Sequence, residues 1–93
     1  MKTRDMKLPL TEYIERAMAQ GVYDKLPEGT FVGRIPVCQG VIAFGDSLQG
    51  CQEELRSSLE DWLLVGLKLG HELPIVGGIN LNTVPEHESV EAS

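Results

Sequence analysis

The chain has 93 residues, enough for one domain whose stability margin is modest, because a short chain buries a smaller share of its surface than a long one. Eight basic against fourteen acidic residues leave a net charge of −6, which argues against tight binding to nucleic acid by this chain alone and suits a basic protein partner. Cys38 and Cys51 are too few for a disulfide scaffold and lack the partners of a zinc site, so they read as packed thiols of a reducing compartment. No apolar run approaches the roughly 18 residues of a membrane span, and no signal-peptide core follows the basic Met1–Lys7, so a soluble, cytoplasmic protein is expected.

Residues 1–9 read as a flexible leader ending at Pro9. Leu10, Tyr13, Ile14, Ala17 and Met18 then recur at three- and four-residue spacing, which predicts a helix of about two turns capped by Thr11, with Glu12 and Glu15 favoured near its positive end. So short a helix must dock its apolar stripe on something.

From Ala19 the period changes. Val22 and Tyr23 open a strand that runs into Pro27-Glu28-Gly29, a turn whose proline presets φ and whose glycine can take a positive one. Thr30–Ile35 is the returning arm, with Phe31 and Ile35 on one face and Val32 and Arg34 on the other. Gly33 inside that arm weakens it unless another element comes close there. Pro36 ends the strand, and Gly40 closes the turn that follows. Val41–Phe44 is a third strand, apolar on both faces, which predicts a central or doubly covered position.

Gly45-Asp46-Ser47 turns the chain into a long helix, with Asp46 or Ser47 as its cap; if Asp46 caps, Gln49 falls at the capping-box position. Leu48, Cys51, Leu55, Leu59, Trp62, Gly66 and Leu69 form one stripe, and Gly70 with Pro74 beyond it supplies the stop. A span of roughly 22 residues is about 33 Å long, more than the neighbouring strands need. Its second half, Trp62 to Leu67, is apolar nearly all round, so Trp62, Leu63, Val65, Gly66 and Leu67 are expected to form a subunit interface. The alternative is that the first helix and Leu73–Val76 cover them within one chain. Leu73–Val76 could be a short fourth strand before Gly77-Gly78, and residues 83–93 read as an acidic, disordered tail.

Catalytic readings find little to work with. His71 follows a helix end and His87 lies in the acidic tail; Cys38 lacks a matching base. A ribonuclease H type site needs several convergent acids around a metal, whereas Asp24, Glu28, Asp46 and Glu60 fall in a turn, a cap or a wet helix face. Neither an enzyme nor a cofactor or metal is expected.

Tyr23 to Trp62 as a whole resembles the HicB-like antitoxin family, in Phe31-Val32-Gly33-Arg34-Ile35-Pro36, in the Pro36 to Gly40 turn, in Gly45-Asp46-Ser47-Leu48, and in the helix through Leu59-Glu60-Asp61-Trp62. It departs at Gln49-Gly50-Cys51, where that family often has Glu-Glu-Ala. The 16 residues after Gly77 are too few for the C-terminal DNA-binding module many members carry, so operator binding is not expected. The resemblance implies an α+β domain over residues 10–82: a short N-terminal helix, a three- to four-stranded, mainly antiparallel sheet like a degenerate ribonuclease H sheet, and one long helix across it. It also implies assembly as dimers or tetramers, and neutralisation of a small basic toxin that cleaves messenger RNA. The competing expectation is an orphan homo-oligomeric module that binds another protein or a small ligand beside Gly33 and Gly40.

Overall fold

Leu26-Pro27-Glu28-Gly29 folds as a turn, with Gly29 N–H donating to the Leu26 carbonyl at 2.8 Å and Gly29 at φ +102°, and Leu26 N–H closes it onto Thr30 at 2.7 Å. This five-residue connection, residues 26–30, with a left-handed glycine joins β1 (Val22–Lys25) to β2 (Phe31–Arg34) as an antiparallel hairpin, with Val22 opposite Arg34 and Lys25 opposite Phe31. The computed structural model that shows this describes residues 9–82. β3 (Ile42–Gly45) pairs antiparallel with the other side of β2, so the sheet order is β1-β2-β3. α1 (Pro9–Ala19) precedes the sheet and α2 (Leu48–Leu69) crosses one face of it, giving a two-layer α+β domain.

α2 lies close to the sheet because two glycines leave room for it. A Cβ at Gly45 would stand 2.5 Å from the backbone nitrogen of Cys51, and one at Gly33 would meet the Tyr23 ring at 2.8 Å and Cys51 Sγ at 3.2 Å. The close approach that a mid-strand Gly33 requires is thus supplied by α2 and by Tyr23 from the neighbouring strand. Between the layers, Ile35, Val41 and Ala43 meet Leu55, Leu59 and Leu63 of α2, and Tyr13, Ile14 and Ala17 of α1 close one end. Each fully buried Leu or Ile contributes about 1.5–3 kcal/mol.

Several expectations need correction. β3 is an edge strand, not a central one: Ile42 and Phe44 are 49% and 53% exposed, because among the described residues its two apolar faces meet α2 on one side and no second layer on the other. No fourth strand forms among the described residues. Val76 and Ile79 make a single bridge around Gly77 and Gly78, both at positive φ, and the Asn82 side-chain amide holds Leu73 through two hydrogen bonds (2.8 and 2.6 Å) where a strand partner would be. Of the two caps the sequence offers for α2, Ser47 is the one used, as its Oγ accepts from Gly50 N–H at 3.0 Å, and Gln49, free of a capping box on Asp46, donates to Glu53. α1 runs three turns rather than two and includes Pro9, so Thr11 sits inside its first turn rather than before it. The rest of the leader, residues 1–8, and the tail, residues 83–93, lie outside the described residues. No helix among the described residues is long and apolar enough to cross a membrane.

Candidate protein-interaction surface

The five residues expected at an interface separate into three environments. Leu63 and Gly66 are buried within the chain: Leu63 joins the core, and a Cβ at Gly66 would touch Leu73 at 3.0 Å. They are core residues rather than contact residues, because α1 and the segment after α2 cover that side of the helix. Trp62 is half-buried, packed against the core with its indole beside Gly40, which stands at φ +102° in the Pro36–Gly40 turn. Val65 and Leu67 are exposed at 51% and 46%, and Leu64, which the sequence stripe did not single out, is the most exposed of this run at 62%.

The shift has a helical cause. The buried line of α2 runs Cys51, Leu55, Leu59, Leu63 and Gly66, so Leu48 and Leu69, expected on the same stripe, lie outside it and are exposed. Leu64 and Leu67 flank a cleft of about 270 Å³ against Leu10 and Ile14 of α1, with Glu60 at its margin. On the opposite flank, Trp62 walls an open trough of about 730 Å³ that continues past Glu72, Ile75 and Asn80. An apolar helix flank rimmed by acids is chemically suited to a protein contact, with basic groups of the partner at the margin.

The groups with catalytic potential are dispersed. Asp24 pairs with Arg34 at 3.5 Å and Glu60 with Arg56 at 3.2 Å, both exposed, and Asp46 and Glu28 are solvent-facing. Among the described residues no three or more His, Cys, Asp or Glu side chains stand together as a metal site. His71 is exposed after the left-handed Gly70, with its backbone N–H bonded to the Gly66 carbonyl at 2.9 Å; His87 lies outside the described residues. Cys38 is fully buried, and burial pushes its thiol pKa up, partly offset by its hydrogen bond with Tyr13. Burial likewise raises Cys51, and raises Tyr13 further, with Cys38 beside it adding to the effect. Raised thiol pKa values disfavour the thiolate, the opposite of what a nucleophile needs.

Sequence reasoning missed a second surface. Val22, Asp24, Val32, Arg34, Ile42 and Phe44 share the face of the sheet turned away from α2. The signal was present in the alternation along each strand, but two apolar faces in Val41–Phe44 suggested cover on both.

With this geometry in view, comparison with known proteins places the chain. The model of the UPF0150-like family matches residues 12–74, from α1 through α2 to Pro74. The chain belongs to the UPF0150-like family. Among solved structures, this UPF0150-like chain is similar to the crystal structure of TTHA0281 from Thermus thermophilus, at 39% identity and a TM-score of 0.75, over 80% of this chain and 93% of that one. No curated protein matches the chain. The UPF0150-like match spans both helices and all three strands, so the exposed flank of α2 and the open sheet face both lie on the shared domain.

Proposed function

We propose that this UPF0150-like protein is an antitoxin-like binding module that acts in the cytoplasm and neutralises a small, basic, mRNA-cleaving toxin by forming a direct complex with it. The observation that carries the reading is the exposed apolar flank of α2, Leu64, Val65 and Leu67, beside Glu60 and Asp61 on the same helix. Apolar contacts supply affinity, and the acids add on-rate and select a basic partner. The resemblance to HicB-like antitoxins through Phe31–Pro36, Gly45-Asp46-Ser47 and Trp62 supports the same reading.

Co-expression with a small basic protein, chosen from any such reading frame that sequencing finds beside this one in the host genome, tests it. The expected result is a stable complex, relief of growth arrest, and loss of RNA cleavage in vitro. Val65→Lys and Leu64→Lys are expected to weaken the complex at least about tenfold by placing a base against a basic partner. Absence of a complex at micromolar concentrations, or a complex in which RNA cleavage continues, overturns the reading.

Self-association without a toxin is the second reading, and the bare apolar face of the sheet favours it.

A further inference from the structure

We propose that the trough walled by Trp62 and Glu72 is a binding site for an arginine side chain carried by an extended basic segment of a protein partner. It lies on the flank of α2 opposite the cleft at Leu64 and Leu67, so it stands whether or not that cleft receives a toxin.

The walls of the trough are fixed before any ligand arrives. The Asn82 amide holds Leu73 through two bonds, at 2.8 and 2.6 Å, and the Tyr13 hydroxyl holds the Pro74 carbonyl at 2.7 Å, so the strip Leu73-Pro74-Ile75 that lines it is anchored from two distant parts of the chain. A Cβ at Gly40 would stand 3.7 Å from the Trp62 indole nitrogen, which shows how closely the Pro36–Gly40 turn backs the ring. Walls already in place leave less ordering to oppose binding. The trough is open and about 730 Å³ in volume, room for a side chain together with its neighbours along a peptide rather than for a lone small cation.

One charge selects the ligand. Among the described residues that line the trough, Glu72 alone is charged. The carboxylates of Glu12, Asp24 and Glu60 each face an arginine of their own chain, at 3.2, 3.5 and 3.2 Å, whereas no described residue pairs with Glu72. Trp62 and Glu72 also border, together, a neighbouring depression of about 280 Å³, so ring and carboxylate stand side by side. A guanidinium satisfies both at once: its plane stacks on an indole while the N–H groups at its edge reach the acid. The exposed Gln39 at the margin adds a carbonyl acceptor for a further N–H. A lysine ammonium, compact and strongly hydrated, meets the acid but gains less from the ring. The net charge of −6 draws a basic chain toward this site and repels a second copy of the acidic one.

Trp62 is the only tryptophan of the chain, so its fluorescence reports on the trough directly. The full-length protein is titrated with the capped tripeptide acetyl-Ala-Arg-Ala-amide and with its lysine and citrulline counterparts. The arginine peptide is expected to give a saturable change in emission with a dissociation constant below about 10 mM, the lysine peptide to bind at least about threefold more weakly, and the neutral citrulline peptide not to saturate. Glu72→Gln is expected to weaken arginine binding at least about fivefold with an unchanged melting temperature, since the side chain it replaces is exposed and unpaired. Leu64→Lys, on the other flank, leaves peptide binding unchanged even where it weakens a toxin complex. No saturable change with the arginine peptide, equal binding of the lysine or citrulline peptide, full binding by a folded Glu72→Gln variant, or loss of binding in Leu64→Lys overturns the proposal.

Discussion

The Tyr13 hydroxyl donates a 2.7 Å hydrogen bond to the Pro74 carbonyl, tying α1 to the segment beyond α2 across 61 positions of sequence. The same hydroxyl shares a hydrogen bond with the buried Cys38 thiol, so three separate segments meet at one phenol. Tyr13→Phe keeps the ring and removes the hydroxyl, leaving the Pro74 carbonyl without this donor. A loss of about 1–2 kcal/mol is expected in urea unfolding; an unchanged midpoint would show that water replaces the hydroxyl.

Gly45→Ala places a methyl group 2.5 Å from the Cys51 nitrogen and 2.8 Å from its Cα. Both are backbone atoms of the first turns of α2, which cannot swing aside as a side chain can. The helix must lift from the sheet, at an expected cost of about 1–3 kcal/mol, read as a lower melting temperature. No change on substitution would mean that α2 does not approach β3 this closely.

Asn82→Ala removes both bonds from the side-chain amide to Leu73, the pair that stands in for a strand ladder. Leu73 and Val76 then lose part of the anchorage that holds them over α2. The expected loss is about 1–2 kcal/mol, and amide exchange at residues 73–79 should accelerate more than exchange in β2. Uniform acceleration across the chain would instead indicate that this segment unfolds only with the whole domain.

Trp62→Ala tests the half-buried indole. Since Trp62 packs against the core at its inner edge, the truncation is expected to cost about 2 kcal/mol, less than for a fully enclosed tryptophan. On the reading that two copies meet through the sheet face, an oligomer of the folded variant should persist; loss of the oligomer by a folded variant would assign the contact to α2 instead.

Alkaline pH should weaken the fold. Burial raises the pKa of Cys38 and Cys51 above 9.0, and burial together with a nearby thiol raises Tyr13 and Tyr23 above 10.0. The unfolded chain, with ordinary values, releases these protons first and so holds fewer protons than the folded chain. The stability contributed by the neutral groups is therefore fully present below about pH 9 and is lost as pH climbs toward the raised folded values. Melting temperatures measured between neutral pH and about pH 11 should fall in that window, and Cys38→Ala should lessen the fall.

Local chemistry made the helices, the hairpin and most turns readable along the chain. Pro27-Glu28-Gly29 specifies its turn through φ alone, Gly70 stops α2 because glycine reaches the left-handed region freely, and Gly33 announced a close neighbour by lacking a side chain. Each of these depends on residues within a few positions of one another. Which side of an apolar element is covered depends on partners far away in sequence, and there periodicity misled. Leu63 and Gly66 went inside because α1 and Leu73 arrive from opposite ends of the chain, and Ile42 and Phe44 stayed outside because β3 lies at the sheet edge with a single helix to cover it. Apolar character tells that a surface seeks cover; only the three-dimensional arrangement tells whether the chain provides it or leaves it to another molecule.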